Sequence, residues 1–194
     1  MKTLAIFAAG TALCLTACNR NQANDNGTAD TNLVTNDVTM TDDMNTTGAA
    51  SALPTTAQAF ADAAASSDKF EIQSSELAAT SAQSAAAKSF AKQMITAHNG
   101  TTAKLKSTLA GMTPAMTPND TLNPEQQALL DGLKGKTGAD FDAAYASAQV
   151  TAHQKTLDAL NAYASGGDNA KLQELAKGMI PTVTAHLNLA KGLK

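Results

Sequence analysis

The chain has 194 residues, with 14 basic against 17 acidic side chains, a formal net charge of -3, 4% aromatic residues and no tryptophan. This mildly acidic balance, with Arg20 as the single arginine, argues against a nucleic-acid partner, which needs a basic stripe and aromatic rings for stacking. The two cysteines, Cys14 and Cys18, lie near the N-terminus, so the rest of the chain has no thiol for a disulfide or a thiolate metal site.

The N-terminus has the pattern of an export signal. Lys2 precedes an apolar run over residues 4–15 that is too short to span a bilayer as a stable helix. The tetrad Leu-Thr-Ala-Cys that ends at Cys18 resembles the bacterial lipobox, in which the signal is cleaved before a cysteine that becomes lipid-modified. We therefore predict a lipoprotein signal peptide over residues 1–17 and a membrane anchor on Cys18. The alternative is an ordinary secretory signal that happens to carry a cysteine.

The segment that follows is predicted to be a disordered tether over residues 18–53. It is rich in Asn, Thr, Asp and Gly, and its few large apolar side chains are scattered singly. Such a segment cannot bury enough apolar surface to offset the conformational entropy lost on ordering. The anchored protein is expected to face the periplasm of a bacterial envelope, with the outer membrane favoured over the inner.

Residues 54–194 are predicted to form one all-α domain, an antiparallel four-helix bundle with a short extra helix between helices two and three. Apolar residues recur at spacings of three and four, and no run of β-branched residues alternates with polar ones. The long helices are expected at about 55–80, 84–111, 139–166 and from a cap at Asp168 onward, and the short helix follows a cap at Asn123. Gly100, inside helix two, is unfavourable there and is interpreted as a close helix approach or a bend.

The three histidines of the chain, His98, His153 and His186, each fall on the apolar stripe of a different helix. A rise of 1.5 Å per residue from the turns places them at comparable depths, with Glu71 of helix one within about one turn of His98. Three imidazoles and one carboxylate would suit a transition metal such as zinc, iron or copper. Glu71, His98, His153 and His186 are therefore the candidate metal ligands.

A second interpretation stays open, in which the histidines only pack and hydrogen-bond inside the bundle. Tyr145, Thr101, Thr184 and Asp142 are the partners expected in that case. The domain would then be a structural or partner-binding envelope protein, whose protein partner the sequence does not identify.

Three segments resemble a bacterial envelope family known as domain of unknown function 4142. They are Phe90-Ala91-Lys92-Gln93-Met94 before His98, Gly138 to Tyr145 before His153, and Ala176 to Pro181 before His186. The resemblance implies a ferritin-like bundle, frequent lipoprotein anchoring and no settled activity. It also implies an aspartate before the helix-two histidine, where this chain has Ala97.

Di-iron oxidase chemistry is disfavoured, because such bundles use Glu-x-x-His pairs and this chain has Ile95, Val150 and Val183 three residues before its histidines. With no identifiable activated nucleophile either, we name no catalytic residue and expect a binding module rather than an enzyme.

Overall fold

The computed structural model describes residues 52–193, and this part of the chain is all-helical, as predicted. The predicted signal peptide, Cys18 and nearly all of the predicted tether lie outside the described residues. Five helices are present, with no strand in residues 52–193: α1 Ala57–Ser81, α2 Ala85–Ala110, α3 Pro124–Leu133, α4 Gly138–Gly166 and α5 Ala170–Lys191. Within the same range, no helix is long and apolar enough to cross a membrane.

Most helices begin at a side-chain cap. The hydroxyls of Thr56 and Ser84 accept from the backbone N–H three residues later, at the starts of α1 and α2. Asn123 and Gln126 form a reciprocal capping box ahead of α3, which confirms the predicted cap at Asn123. The predicted cap of α5 at Asp168 is wrong by one residue, because Asn169 accepts from the Leu172 N–H.

Asp168 has a different partner, since its carboxylate accepts a hydrogen bond of 3.0 Å from the Tyr163 hydroxyl. This bond ties the turn after α4 back onto that helix. Of the two interpretations of Gly100, the close helix approach is wrong, because a Cβ built there would meet no described atom within 4 Å and the residue is exposed.

The helices pack as a bundle in which α1 lies against α2 and α4 against α5 most extensively, while α3 covers α1 and α4. The short links between α1 and α2 and between α4 and α5 agree with this pairing. The Asp142 carboxylate accepts from the backbone N–H groups of Gln83 and Ser84 at 3.0 and 2.8 Å, which fixes the start of α2 to α4.

A polar layer separates the two larger of the three apolar clusters that fill the bundle. One cluster contains the stacked rings of Phe60 and Tyr163, and the other contains Phe90, Phe141 and Tyr145. Along each of the four long helices, buried or half-buried polar residues lie between the residues of the two clusters. They include Asp68 and Glu71 of α1, His98 of α2, Gln149 and His153 of α4, and His186 of α5.

Candidate metal centre

The three imidazoles meet inside the bundle. The ring centroids of His98, His153 and His186 lie 5.6–5.8 Å apart in pairs. One nitrogen from each ring lies within 4.8 Å of the corresponding nitrogen of the other two. His98 and His153 are buried, and His186 is half-buried. The sequence predicted that these rings share one depth, and the structure brings them together.

Hydrogen bonds from outside the cluster orient two of the rings. The Nδ1–H of His98 donates to the Asp68 carboxylate at 2.7 Å, and the Nδ1–H of His153 donates to the Gln149 carbonyl at 2.9 Å. A carbonyl has no proton to give, so neutral His153 carries its proton on Nδ1 and its lone pair on Nε2. A carboxylate or backbone carbonyl behind a histidine is the usual outer support of a metal-binding imidazole.

Three buried nitrogens have no hydrogen-bond partner among the described residues: Nε2 of His98, Nε2 of His153 and Nδ1 of His186. We call these three atoms the donor nitrogens. A buried polar atom without a partner costs about 1–3 kcal/mol, so three of them at one place are typical of a binding site. One nitrogen from each ring lies within 4.8 Å of the others, and three atoms no further apart than this share a central point at most about 2.8 Å from each. Inward movement of each ring by less than about 1 Å would reach the metal–nitrogen distance of about 2.0 Å.

Burial keeps two of the rings neutral. It lowers the pKa of His153 to about 3 and that of His186 to about 4, and the charge of His98 adds to both shifts. Burial also acts to lower the pKa of His98, but the hydrogen bond that its ring donates to Asp68 and the charges of Glu71 and Asp68 raise that pKa above 6.5 overall. Neutral imidazole is the form that binds a metal, so His153 and His186 are ready to bind at neutral pH.

Asp68 is a site residue that the sequence analysis missed. Its carboxylate accepts from His98 and also from the hydroxyls of Thr101 and Thr102, at 2.8 and 3.0 Å. Asp68 directly follows the stripe residue Ser67, as Glu71 follows Phe70, so the same pattern that selected Glu71 was available for it.

The structure places Glu71 behind His153 rather than among the donor nitrogens. Its carboxylate lies 3.5 Å from His153 Nδ1, which is the nitrogen already bonded to Gln149. Glu71 is 1% exposed, and burial raises the pKa of its carboxyl to about 7. Glu71 therefore adjusts the charge around the cluster from outside it, whereas the three histidines face one another.

The partners expected for packed histidines bind elsewhere. The Tyr145 hydroxyl pairs with Ser75, Thr184 donates to the Ile180 carbonyl, and Asp142 holds the start of α2. The Thr101 hydroxyl donates to Asp68 and to the backbone carbonyl of His98, at 2.8 and 3.1 Å, and to no histidine ring. If the histidines only packed, each would be expected to have its own local partners. The Nδ1 atoms of His98 and His153 do have them, but among residues 52–193 the donor nitrogens do not.

The chain belongs to the family described as domain of unknown function DUF4142, which matches residues 43–193. A comparison with curated protein sequences finds no match. Among solved structures, the domain is similar to CopM in a Cu(II)-bound form, with 16% identity and a TM-score of 0.60 over 71% of this chain and 94% of that one.

Two further CopM structures show the same similarity. An Ag-bound form gives 16% identity and a TM-score of 0.59 over 72% of this chain and 95% of that one. A Cu(I)-bound form gives 15% identity and a TM-score of 0.57 over 70% and 92%. At this identity the likeness shows a shared fold and nothing more.

Proposed function

We propose that this member of the DUF4142 family binds one copper ion through the donor nitrogens of His98, His153 and His186. The observation that carries the proposal is the pairing pattern of the cluster. The Nδ1 atoms of His98 and His153 are hydrogen-bonded from behind, while the donor nitrogens lack a partner within the described part of the chain. This is the arrangement that orients imidazoles toward a metal.

Copper is favoured over zinc and iron on chemical grounds. Imidazole donors suit copper, zinc, iron and nickel, and for a given site the affinity for divalent ions is highest for copper. The solved relatives with this fold carry Cu(II), Cu(I) or Ag in their names, which supports the same choice here. The donor nitrogens come from three imidazoles, without the Glu-x-x-His pairs that build a di-iron centre.

The cellular setting and the finer architecture belong to the same proposal. Residues 1–17 would act as a lipoprotein signal, Cys18 as the lipid attachment site and residues 18–53 as the tether. The protein would hold copper at the periplasmic face of an envelope membrane, with the outer membrane favoured, in an antiparallel ferritin-like bundle. Mass spectrometry of the mature N-terminus tests the anchor, and Cys18→Ala would release the protein from membranes if the anchor is correct.

The metal is tested in the full chain with Cys14→Ser and Cys18→Ser, so that no thiol competes. We expect one copper per chain after dialysis, measured by elemental analysis, and a preference for copper when zinc is present. His98→Asn, His153→Asn and His186→Asn should each weaken copper binding by more than the roughly 10–100-fold expected of an outer-shell change. Because the chain has no histidine outside the cluster, any imidazole that still binds copper in a single variant is one of the two remaining cluster histidines.

Gln154→Asn is the matched control, because Gln154 is an exposed residue of α4 next to His153. It should retain full copper binding. If the histidines only pack, the three histidine variants would lower the free energy of unfolding while copper uptake stayed equal to that of the control. That result would refute the proposed function.

A further inference from the structure

A cavity of about 150 Å³ lies beside the histidine cluster, enclosed by α1, α2, α4 and α5. Its wall is mainly apolar and includes Phe60, Leu160, Met179 and Val183. An apolar cavity of about this volume holds a benzene molecule in another protein, so the space fits one small ring. Exposed residues on its border, Lys104, Gly178 and Thr182, connect it to the surface.

The polar part of the wall belongs to the candidate metal centre. His98, His186 and Asp68 border the cavity, while His153 approaches the other two rings from α4. The Asp68 carboxylate is occupied by His98 and two threonine hydroxyls, so it is already satisfied. The polar atoms at this wall that still seek a partner, within the described residues, are the donor nitrogens of His98 and His186.

Three histidines leave a copper or zinc ion with a fourth position to fill, as catalytic three-histidine sites do with water or substrate. Resting on the proposed function, we infer that this position opens into the cavity and accepts a small heteroaromatic nitrogen base. A ring nitrogen of that base would bind the metal, and its apolar body would fill the space between Phe60, Leu160 and Val183. An apolar pocket with a few polar groups at one end is the usual form of such a site.

The test uses the copper-loaded full chain with Cys14→Ser and Cys18→Ser, titrated with imidazole and with 4-methylimidazole. Binding at the metal changes the visible absorption and the electron paramagnetic resonance spectrum of Cu(II). The extra methyl group of 4-methylimidazole should be buried in the cavity, so this base should bind about fourfold more tightly than imidazole. A dialysed sample analysed for copper checks that the base has not removed the metal.

Two variants enlarge side chains that border the cavity, one on α1 and one on α4. Ala63→Leu of α1 and Ala159→Leu of α4 both border the cavity, and neither is a candidate ligand. Each should keep one copper per chain and weaken 4-methylimidazole binding by about tenfold or more. Ala103→Leu, at an exposed position of α2, is the matched control and should leave that affinity unchanged.

Copper binding without a spectral response to either base would overturn this inference and leave the proposed function intact. Equal affinities in the two cavity variants and the control would also overturn it, because the base would then bind outside the cavity. Failure to bind copper at all would remove both proposals, and the copper content of the starting sample identifies that case.

Discussion

Asp68→Asn tests whether the carboxylate behind His98 tunes the metal centre. The substitution keeps the size of the side chain and one acceptor oxygen, so the Nδ1–H of His98 can still be bound. It removes the negative charge that His98, Thr101 and Thr102 share at 2.7, 2.8 and 3.0 Å. The variant therefore tests the effect of the Asp68 charge while the hydrogen bond to His98 can still form.

The loss of this charge should weaken copper binding about 10- to 100-fold, which is the usual effect of altering an outer partner of a metal-binding histidine. It should also lower the pKa of His98 in the metal-free protein, because the hydrogen bond to Asp68 and the charge of Asp68 help to offset the effect of burial on that pKa. Copper affinity is measured by competition with a chelator of known strength, and the His98 pKa by an NMR titration.

Glu76→Gln is the control, since Glu76 lies on the same helix, is exposed and loses the same charge. It should change neither quantity. If Asp68→Asn and Glu76→Gln gave copper affinities within a factor of about two of the parent, the outer-shell argument would be refuted. A fall in the His98 pKa with an unchanged affinity would show that Asp68 acts only on the metal-free protein.

Three further substitutions test the fold around the site through urea unfolding of metal-free protein. The raised Glu71 pKa stabilises the fold fully below about pH 4.5, and this stability is lost as the pH rises through about 7. Glu71→Gln should therefore be more stable than the parent at pH 8.5, by up to about 3 kcal/mol, and nearly equal to it at pH 4.5. Gly100→Ala should add about 0.5–1 kcal/mol, because its Cβ meets no described atom within 4 Å, and a loss there would contradict the free space. Gly167→Ala should cost about 1–3 kcal/mol, because its Cβ would lie 2.5 Å from the Tyr163 ring, and equal stability would show that the ring moves easily.

The sequence was sufficient to predict the helices and the meeting of the imidazoles. Helical periodicity determines which face a residue occupies, and the fixed rise per residue determines its height from a turn. His98, His153 and His186 each lie on a buried stripe at a calculable height, so their convergence required no knowledge of packing detail.

The height estimate was too coarse to decide which carboxylate of α1 contacts which histidine. Asp68 and Glu71 lie one turn apart on the same side of α1, and a height estimate is uncertain by one turn. The ring direction of His153 was equally inaccessible, because it depends on the bond to the Gln149 carbonyl. That bond turns Nδ1 toward Glu71 and Nε2 away from it, which is why Glu71 lies behind the cluster.

A side-chain hydrogen bond explains why the predicted cap of α5 was wrong by one residue. Asp168 and Asn169 are both favourable N-cap residues, and the local sequence does not indicate which of them caps α5. The Tyr163 hydroxyl decides between them by binding Asp168, so that Asn169 caps α5. Tertiary contacts of this kind involve a partner on another turn or helix, and periodicity carries no information about them.

The pattern of satisfied and unsatisfied atoms distinguishes a binding site from a packing network. A hydrogen-bond network that only stabilised the bundle would be most stable with both nitrogens of each buried ring paired. An unpaired buried nitrogen destabilises the fold by about as much as a good hydrogen bond stabilises it. Here the paired atoms of His98 and His153 are the ones that face Asp68 and Gln149, outside the cluster. The donor nitrogens lie close enough together for one bound species to contact all three, and no residue from 52 to 193 is bonded to any of them. One metal ion can accept three lone pairs at a single point, whereas one water molecule can donate only two hydrogens, so this pattern favours the proposed metal site.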